Sequence, residues 1–414
     1  MVGRRWIGSA LVALAVVFAS GCSGSGDEVR VEPEAAASTD PSGEVTAVVG
    51  QPLSPRRNST QVRTGSTLLS YGGTLVDSNL TTNTLASIDP ATLEVTRVFD
   101  PPPFSASFAG GVRWVDDRVY FSGSECRGDE QDLGQYAEDN QCDRVPVLAT
   151  VEPDGGDWET LDLPPETDGG VRILGSVPGV GVLATAGVNP TRLWARTDDG
   201  DWTELPEPPL QERRPVDREP SPAYFVKGSC IVGDTVVQFG AELLVGTASR
   251  DITAAVLDLG ERSPSWRTSI RPELDTDAAG NVLCGDGAVV FSPITGPSGP
   301  VTRFSPGDLS WTSIGPSTAQ LPGVEPPYSF LGLPGSTGTE VLYPGAPGVG
   351  SQIVDISTGE WRAGPPSPGM FENPPTWTGT GFVGVSATGT AGQLTTPEPM
   401  ELPPAGTLFT FDVA

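Results

Sequence analysis

An all-β fold, a β-propeller of four-stranded blades, is predicted by three observations. Glycine and proline number 52 and 42 among 414 residues. Long helices do not tolerate that load, because proline removes a backbone donor and glycine costs conformational entropy. Apolar residues make up 37% of the chain, enough for a core, but they fall in short alternating runs between Gly/Asp turns. Finally, a pattern of two successive hairpins recurs roughly every 45–65 residues, the sequence signature of a stacked repeat architecture.

The chain opens with a targeting segment over residues 1–21. Arg4 and Arg5 start it, Trp6 to Ala19 is mostly apolar, and Ala19-Ser20-Gly21-Cys22 closes it. The apolar run is short for a membrane span. Small residues before a cysteine resemble the bacterial lipoprotein signal. The resemblance implies cleavage before Cys22, acylation of that residue, and a cell-membrane location on the extracytoplasmic side. An ordinary secretory signal, or twin-arginine export through Arg4-Arg5, is the alternative. Residues 22–44 are small, acidic or proline and read as a flexible tether, with an r.m.s. reach of roughly 25 Å. Residues 45–414 form the propeller.

Acidic residues outnumber basic ones 52 to 24, for a formal charge of −28, and removal of Arg4 and Arg5 would take it to −30. Such a surface repels nucleic acid and anionic lipid. Lys227 is the one lysine, a bias that points to a GC-rich, actinobacterial type of genome. There is no histidine, which excludes Ser-His-Asp and Cys-His catalysis and His-ligated metals. Beyond Cys22 lie Cys126, Cys142, Cys230 and Cys284. An even count outside the cytoplasm favours two disulfides. Cys126 and Cys142 bracket one loop and are the nearer pair, which leaves Cys230 and Cys284; sequence alone permits three connectivities.

The repeats are read from their turns. Asp154-Gly155-Gly156-Asp157-Trp158, Asp199-Gly200-Asp201-Trp202, Pro264-Ser265-Trp266, Gly307-Asp308-Leu309-Ser310-Trp311 and Thr358-Gly359-Glu360-Trp361 each link two short strands, and Asp89 to Val95 is a copy with valine for tryptophan. Upstream of these lies another hairpin, as at Asp116-Asp117, Gly233-Asp234 and Asp286-Gly287. The unit is therefore four strands, a to d, with the tryptophans at the start of strand d packing between blades. First strands are expected near residues 57, 110, 171, 224, 281, 328 and 373. These seven starts give seven blades, with six or eight as alternatives. The final unit stops at strand c, Leu408 to Val413. Glu44 to Val49 is expected to supply its missing strand and close the ring.

Pro52-Leu53-Ser54-Pro55-Arg56-Arg57, an apolar strand, a Gly turn and a strand ending in Tyr71-Gly72-Gly73 resemble the repeat of kelch and galactose-oxidase-like propellers. The resemblance is carried chiefly by this first unit. It implies contacts with a protein or glycan partner through the loops; the copper chemistry of one branch is contradicted by the absent histidines.

In an a-b-c-d meander, the a–b and c–d turns share one face and the b–c and d–a connections share the other. The long segments Gly73 to Asn83, Gly123 to Val145, Pro206 to Ala223, Gly240 to Asp251 and Ala387 to Pro404 all fall on the second face, where binding is expected. The segment near Cys126 and Cys142 concentrates Glu125, Asp129, Glu130, Asp132, Tyr136, Glu138, Asp139 and Asp143. These carboxylates suggest calcium or a partner contact, against a plain solvated acidic loop. Arg56, Arg57, Arg213 and Arg214 lie on the same face, as anion ligands or, more simply, partners of the abundant acids. Gly179-Val180-Gly181-Val182-Leu183-Ala184 has dinucleotide-loop spelling without a following helix and reads as a hairpin turn. The Asp-Gly-Asp-Trp turns resemble the sialidase Asp-box but are one residue short and lack its hydroxyl pair. The functional expectation is a lipid-anchored extracytoplasmic module that binds or scaffolds a protein or glycan partner and has no bound cofactor. The alternative is a carboxylate-dependent, glycan-active hydrolase, lyase or sialidase-like enzyme.

Overall fold

The computed structural model describes residues 47–65, 67–78, 82, 84–100, 111–127, 143–153, 157–165, 167, 170–187, 192–209, 223–243, 252–271, 280–293, 300–316, 334–344, 350–366, 374–386 and 406–412. The targeting segment, Cys22 and the tether lie outside these residues. Among the described residues no helix is long and apolar enough to cross a membrane.

The protein is a seven-bladed β-propeller of antiparallel sheets. Its first repeat contains β1 (Arg56–Arg57), β2 (Thr60–Thr64), β3 (Thr67–Tyr71), β4 (Thr74–Leu75), β5 (Leu85–Ile88) and β6 (Val95–Val98). Strands β2, β3, β5 and β6 pair in that order as blade 1, while β1 pairs with β4 as a short ribbon. Blade 2 is β7 (Gly111–Val115), β8 (Arg118–Arg127), β9 (Asp143–Val151) and β10 (Glu159–Thr160). Blade 3 is β11 (Val171–Val177), β12 (Gly181–Ala186), β13 (Arg192–Arg196) and β14 (Trp202–Glu204). Blade 4 is β15 (Ala223–Val232), β16 (Thr235–Leu243), β17 (Ile252–Asp258) and β18 (Trp266–Ile270). Blade 5 is β19 (Gly280–Gly285), β20 (Ala288–Pro293), β21 (Pro300–Ser305) and β22 (Ser310–Pro316). Blade 6 is β23 (Gly335–Ser336), β24 (Glu340–Tyr343), β25 (Gly350–Asp355) and β26 (Trp361–Pro366). Blade 7 has three described strands, β27 (Thr376–Trp377), β28 (Gly381–Val385) and β29 (Leu408–Asp412).

The first strands β2, β7, β11, β15, β19, β23 and β27 lie side by side in sequence, and β27 lies against β2, so the ring is closed. The strand starts agree with the seven expected from sequence; the largest offset is in blade 6. Residues 44–46 of the expected closing strand are outside the described residues. Residues 47–50 are coil and turn, and Ala47 is buried with Val383, Val385 and Leu408 of blade 7. Further on, Gly50 donates to the Val95 carbonyl and Val95 to that of Gln51, which ties the segment to blade 1.

The hydrophobic core is divided into layers. Among the described residues there are seven buried clusters, and each joins one blade to the next: 1 with 2, 2 with 3, and onward to 7 with 1. Strand β20 shows why. Its side chains alternate, Val289 and Phe291 entering the layer with blade 4, Ala288 and Val290 the layer with blade 6. A strand buried on both faces must be apolar at successive positions, so simple alternation is lost there. Phe239, Phe304 and Trp311 form an aromatic group in the layer between blades 4 and 5. The layer is crossed by a disulfide between Cys230 of β15 and Cys284 of β19, whose Cα atoms are 6.1 Å apart. This is the second pairing expected from sequence; Cys142 of the other lies outside the described residues.

The tryptophans at the start of the fourth strands bridge blades. The indole N–H of Trp158 donates to the Asp100 carbonyl, that of Trp202 to Asp162 and that of Trp266 to Pro206, each at 2.8 Å. Trp311 donates to the Ser269 hydroxyl at 3.1 Å, and Trp361 to the Ile314 carbonyl. Each acceptor belongs to the outer edge of the preceding blade, so five successive junctions share one device. Trp266→Phe keeps the ring and removes the donor, leaving the Pro206 carbonyl without it. Equilibrium denaturation is expected to show a loss of about 1–2 kcal/mol; an unchanged midpoint would mean the bond contributes nothing net.

Candidate functional site

Strand order assigns the two faces as expected, since every blade is an antiparallel meander from inner to outer strand. The c–d turns are held by their own aspartates. Asp89 Oδ1 accepts from the amides of Ala91 and Thr92, Asp355 Oδ1 from those of Ser357 and Thr358, and Asp308 Oδ1 from Ser310. The side-chain hydroxyls of Ser310 and Ser357 add to this, and such hydrogen bonds hold the Asp308 and Asp355 carboxyls below the usual carboxylate range. Hydrogen bonds to the charged form act in that direction. These turns are therefore structural. The same holds at Gly179-Val180-Gly181, a hairpin turn between β11 and β12 with no helix after it. A Cβ at Gly181 would lie 2.0 Å from the Arg196 carbonyl oxygen. Beside it is a shallow cleft of about 380 Å³ between blades 2 and 3, lined by Asp116, Ser176, Gly179, Thr197 and Asp198. Ser176 donates to Asp116 across it at 2.8 Å.

On the opposite face, blade 2 carries the acidic segment on an extended hairpin. Pairing of β8 with β9 runs continuously from Val119↔Val151 to Glu125↔Val145, Cys126↔Arg144 and Arg127↔Asp143. Glu125 and Asp143 thus sit at the base of the segment. Asp129, Glu130, Asp132, Tyr136, Glu138 and Asp139 lie outside the described residues, as do Arg213 and Arg214, so the calcium expectation rests on residues beyond this description. Among the described residues no three His, Cys, Asp or Glu side chains gather as a metal site.

Arg56 departs from expectation. Among the described residues no acid pairs with it, and it is buried to 1% exposure at the seam of blades 7 and 1. Its Nε donates to the Ser54 carbonyl at 3.2 Å and its Nη1 to the Gly72 carbonyl at 3.4 Å. Desolvation pushes its pKa down to about 10, which leaves it cationic at neutral pH. Backbone carbonyls of Ser54 and Gly72 thus take the role that sequence reasoning assigned to carboxylates, and the Arg56 main-chain amide donates to the Gly406 carbonyl at 2.9 Å, just before β29. Arg57 is exposed.

The residues that sequence reasoning did not single out are on the inner strands. Arg63 of β2, Arg113 of β7, Arg172 of β11 and Lys227 of β15 are cations, and none of the seven inner strands contains Asp or Glu. Arg113 is half-buried and Arg172 exposed. Burial first, and the Arg172 charge second, lower the Arg113 pKa. The only signal in the sequence is this charge segregation, and it becomes readable once the strands are assigned to the ring.

No family model matches the chain, and no curated protein matches it. Among solved structures it is similar to the structure of YjhT, with a TM-score of 0.44 and 11% identity over 77% of this chain and 99% of that one. It is also similar to a puromycin hydrolase, with a TM-score of 0.45 and 17% identity over 83% of this chain and 53% of that one. A third is a protein from Lactobacillus plantarum, with a TM-score of 0.45 and 10% identity over 85% and 100% of the two chains. The chain spans about half the length of the puromycin hydrolase.

The Arg56 seam has a testable partner in Gly73. Its φ is +99°, and a Cβ there would stand 2.6 Å from the Arg57 carbonyl oxygen. Gly73→Ala is expected to cost about 1–3 kcal/mol, the scale of local backbone strain, and to lower the denaturation midpoint. An alanine variant as stable as the parent would show that this turn relaxes freely.

Proposed function

We propose that this protein is a lipid-anchored, extracytoplasmic β-propeller that binds or scaffolds a protein or glycan partner through its long-loop face. The β8–β9 hairpin carries this reading. Its nine register pairs run to Arg127↔Asp143, whereas the corresponding β3–β5 ladder in blade 1 has four and stops at Tyr71↔Leu85. Rigid scaffolds present recognition loops on paired strands of this kind. The Ala19-Ser20-Gly21-Cys22 sequence supports the anchor, and the net charge makes nucleic acid an unsuitable partner. The contact of Arg56 with Gly72 supports the kelch-like reading, because it joins the Pro-Arg lead-in to the Gly-Gly end of the repeat. The alternative, a glycan-active enzyme, would require a carboxylic acid with a raised pKa.

Pull-down from detergent-solubilised membranes, with residues 128–141 replaced by a Gly/Ser loop, is expected to lose the bound partner. An unchanged set of captured species would sink the loop-face reading. Replacing Cys22 by alanine should move the protein from the membrane to the soluble fraction, and retention in the membrane would exclude the lipid anchor.

A further inference from the structure

The cations of the inner strands are gathered at one part of the channel. The inner strands run in the same direction round the ring, so levels can be compared across interblade contacts. Asp116, just beyond β7, is bonded to Ser176 of β11. Counting back along both strands, with the register irregularity between Ile173 and Gly175 absorbing one position, Arg113 falls level with Arg172. Gly175 of β11 meets Ile231 of β15, where a Cβ would stand 3.0 Å from Ile231 Cδ1. Counting back from that contact, past the irregularity between Val226 and Gly228, Lys227 falls within about two residues of the same level, or ~7 Å along the strand. Three consecutive blades therefore place a cation at one depth of the channel, nearer the long-loop face than the turn face. Arg63 lies toward the turn face, where its Nε donates to the Gly65 carbonyl at 2.8 Å.

This arrangement is unfavourable for the empty protein. Arg113 Nη1 donates to the Val112 carbonyl at 3.2 Å, but its neighbour in charge is another guanidinium. Arginines beyond the inner strands are treated differently: Arg118 pairs with Glu159, Arg192 with Glu204 and Arg362 with Glu340. In a chain with 52 acidic residues, partners for the inner cations would be easy to supply, and the inner strands supply none. A like-charge pair at a partly desolvated position is stabilised by an anion bound between its members.

The geometry points to an anion-binding site in the central channel, formed by Arg113 and Arg172, for a small molecule bearing a carboxylate or phosphate group. Guanidinium forks suit both groups, because two parallel N–H donors match two oxygens. The surrounding acidic surface excludes large polyanions by repulsion and leaves small ones able to enter. The proposal does not depend on the partner-binding reading.

Calorimetric titration of the full chain in detergent at low ionic strength, with inorganic phosphate and with citrate as probes, tests this. Saturable binding of at least one probe is expected, with no such heat from chloride at equal ionic strength. Arg172→Gln, at an exposed position, should weaken binding tenfold or more. Arg362→Gln, on the outer face, should leave it unchanged. Arg113→Gln supplies a readout that a purely structural role would not give: its anion-free thermal midpoint should rise as the like-charge repulsion is relieved, and the upshift on adding the probe should disappear. Absence of saturable binding by either probe, or equal binding by Arg172→Gln and the parent, would overturn the proposal. So would a lower midpoint in Arg113→Gln with the probe-induced upshift retained.

Discussion

The structure depends on the fact that no blade can bury both of its faces alone. Each sheet is apolar on two sides, and each side becomes core only against a neighbour, so the hydrophobic driving force is divided into interblade layers. Apolar packing is non-directional and would allow neighbouring blades to slide. The indole of the fourth-strand tryptophan removes that freedom, because its N–H must meet a carbonyl or hydroxyl on the preceding blade while its ring lies against the layer. One residue type thus contributes area and register together, which suits an amphipathic ring with a single donor. Blade 1 has Val95 in the equivalent place, and there the junction uses main-chain bonds through Gly50 and Gln51 instead.

Charge follows the same radial order. Carboxylates collect on the turns and beyond the inner strands, where Asp89, Asp308 and Asp355 accept turn amides and Glu159, Glu204 and Glu340 pair with arginines. Exposed pairs of this kind contribute little stability individually. Their larger effect is to keep the exterior acidic. The buried arginines are handled by other means. Arg271 donates to the Thr302 hydroxyl at 3.2 Å and lies 5.3 Å from the centre of the Phe291 ring, while Arg56 is held by carbonyls. Burial lowers both to about 10.

What could be read from the sequence was local. The Asp and Gly turns fix hairpins through short-range chemistry, so strand starts near 110, 171, 224 and 281 could be placed from turn residues alone. The terminal unit, cut off after strand c, was legible for the same reason. Arg56 was not, since arginine is usually a surface residue and its burial follows from contacts with Gly72 and Gly406, sixteen residues and most of a ring away. The cations of the inner strands were invisible for a related reason. Arg113, Arg172 and Lys227 are widely separated in sequence, and only closure of the ring brings their strands side by side. The pairing of Cys230 with Cys284 lies between these cases. Their even number and the expectation of export suggested a bond, while the adjacency of β15 and β19 makes it possible.

The seam between blades 7 and 1 has to do in one place what the tryptophans do five times. A closed ring must join its two ends, and here β27 lies against β2. The join is made by the first repeat. Arg56 takes Gly406 by its amide and Gly72 by its side chain, and Leu53 and Ala47 enter the cluster that contains Val383 and Leu408. Gly406 sits at φ +73°, and a Cβ there would stand 2.7 Å from the Arg56 amide nitrogen. A larger residue would push the two ends apart. The Pro-Arg lead-in and the Gly-Gly turn that make the first unit the most distinctive in sequence are therefore the parts that close the ring. Their distinctiveness has a structural cause: the other blades meet a neighbour built from the same continuous run of chain, whereas blade 1 must receive the far end of it.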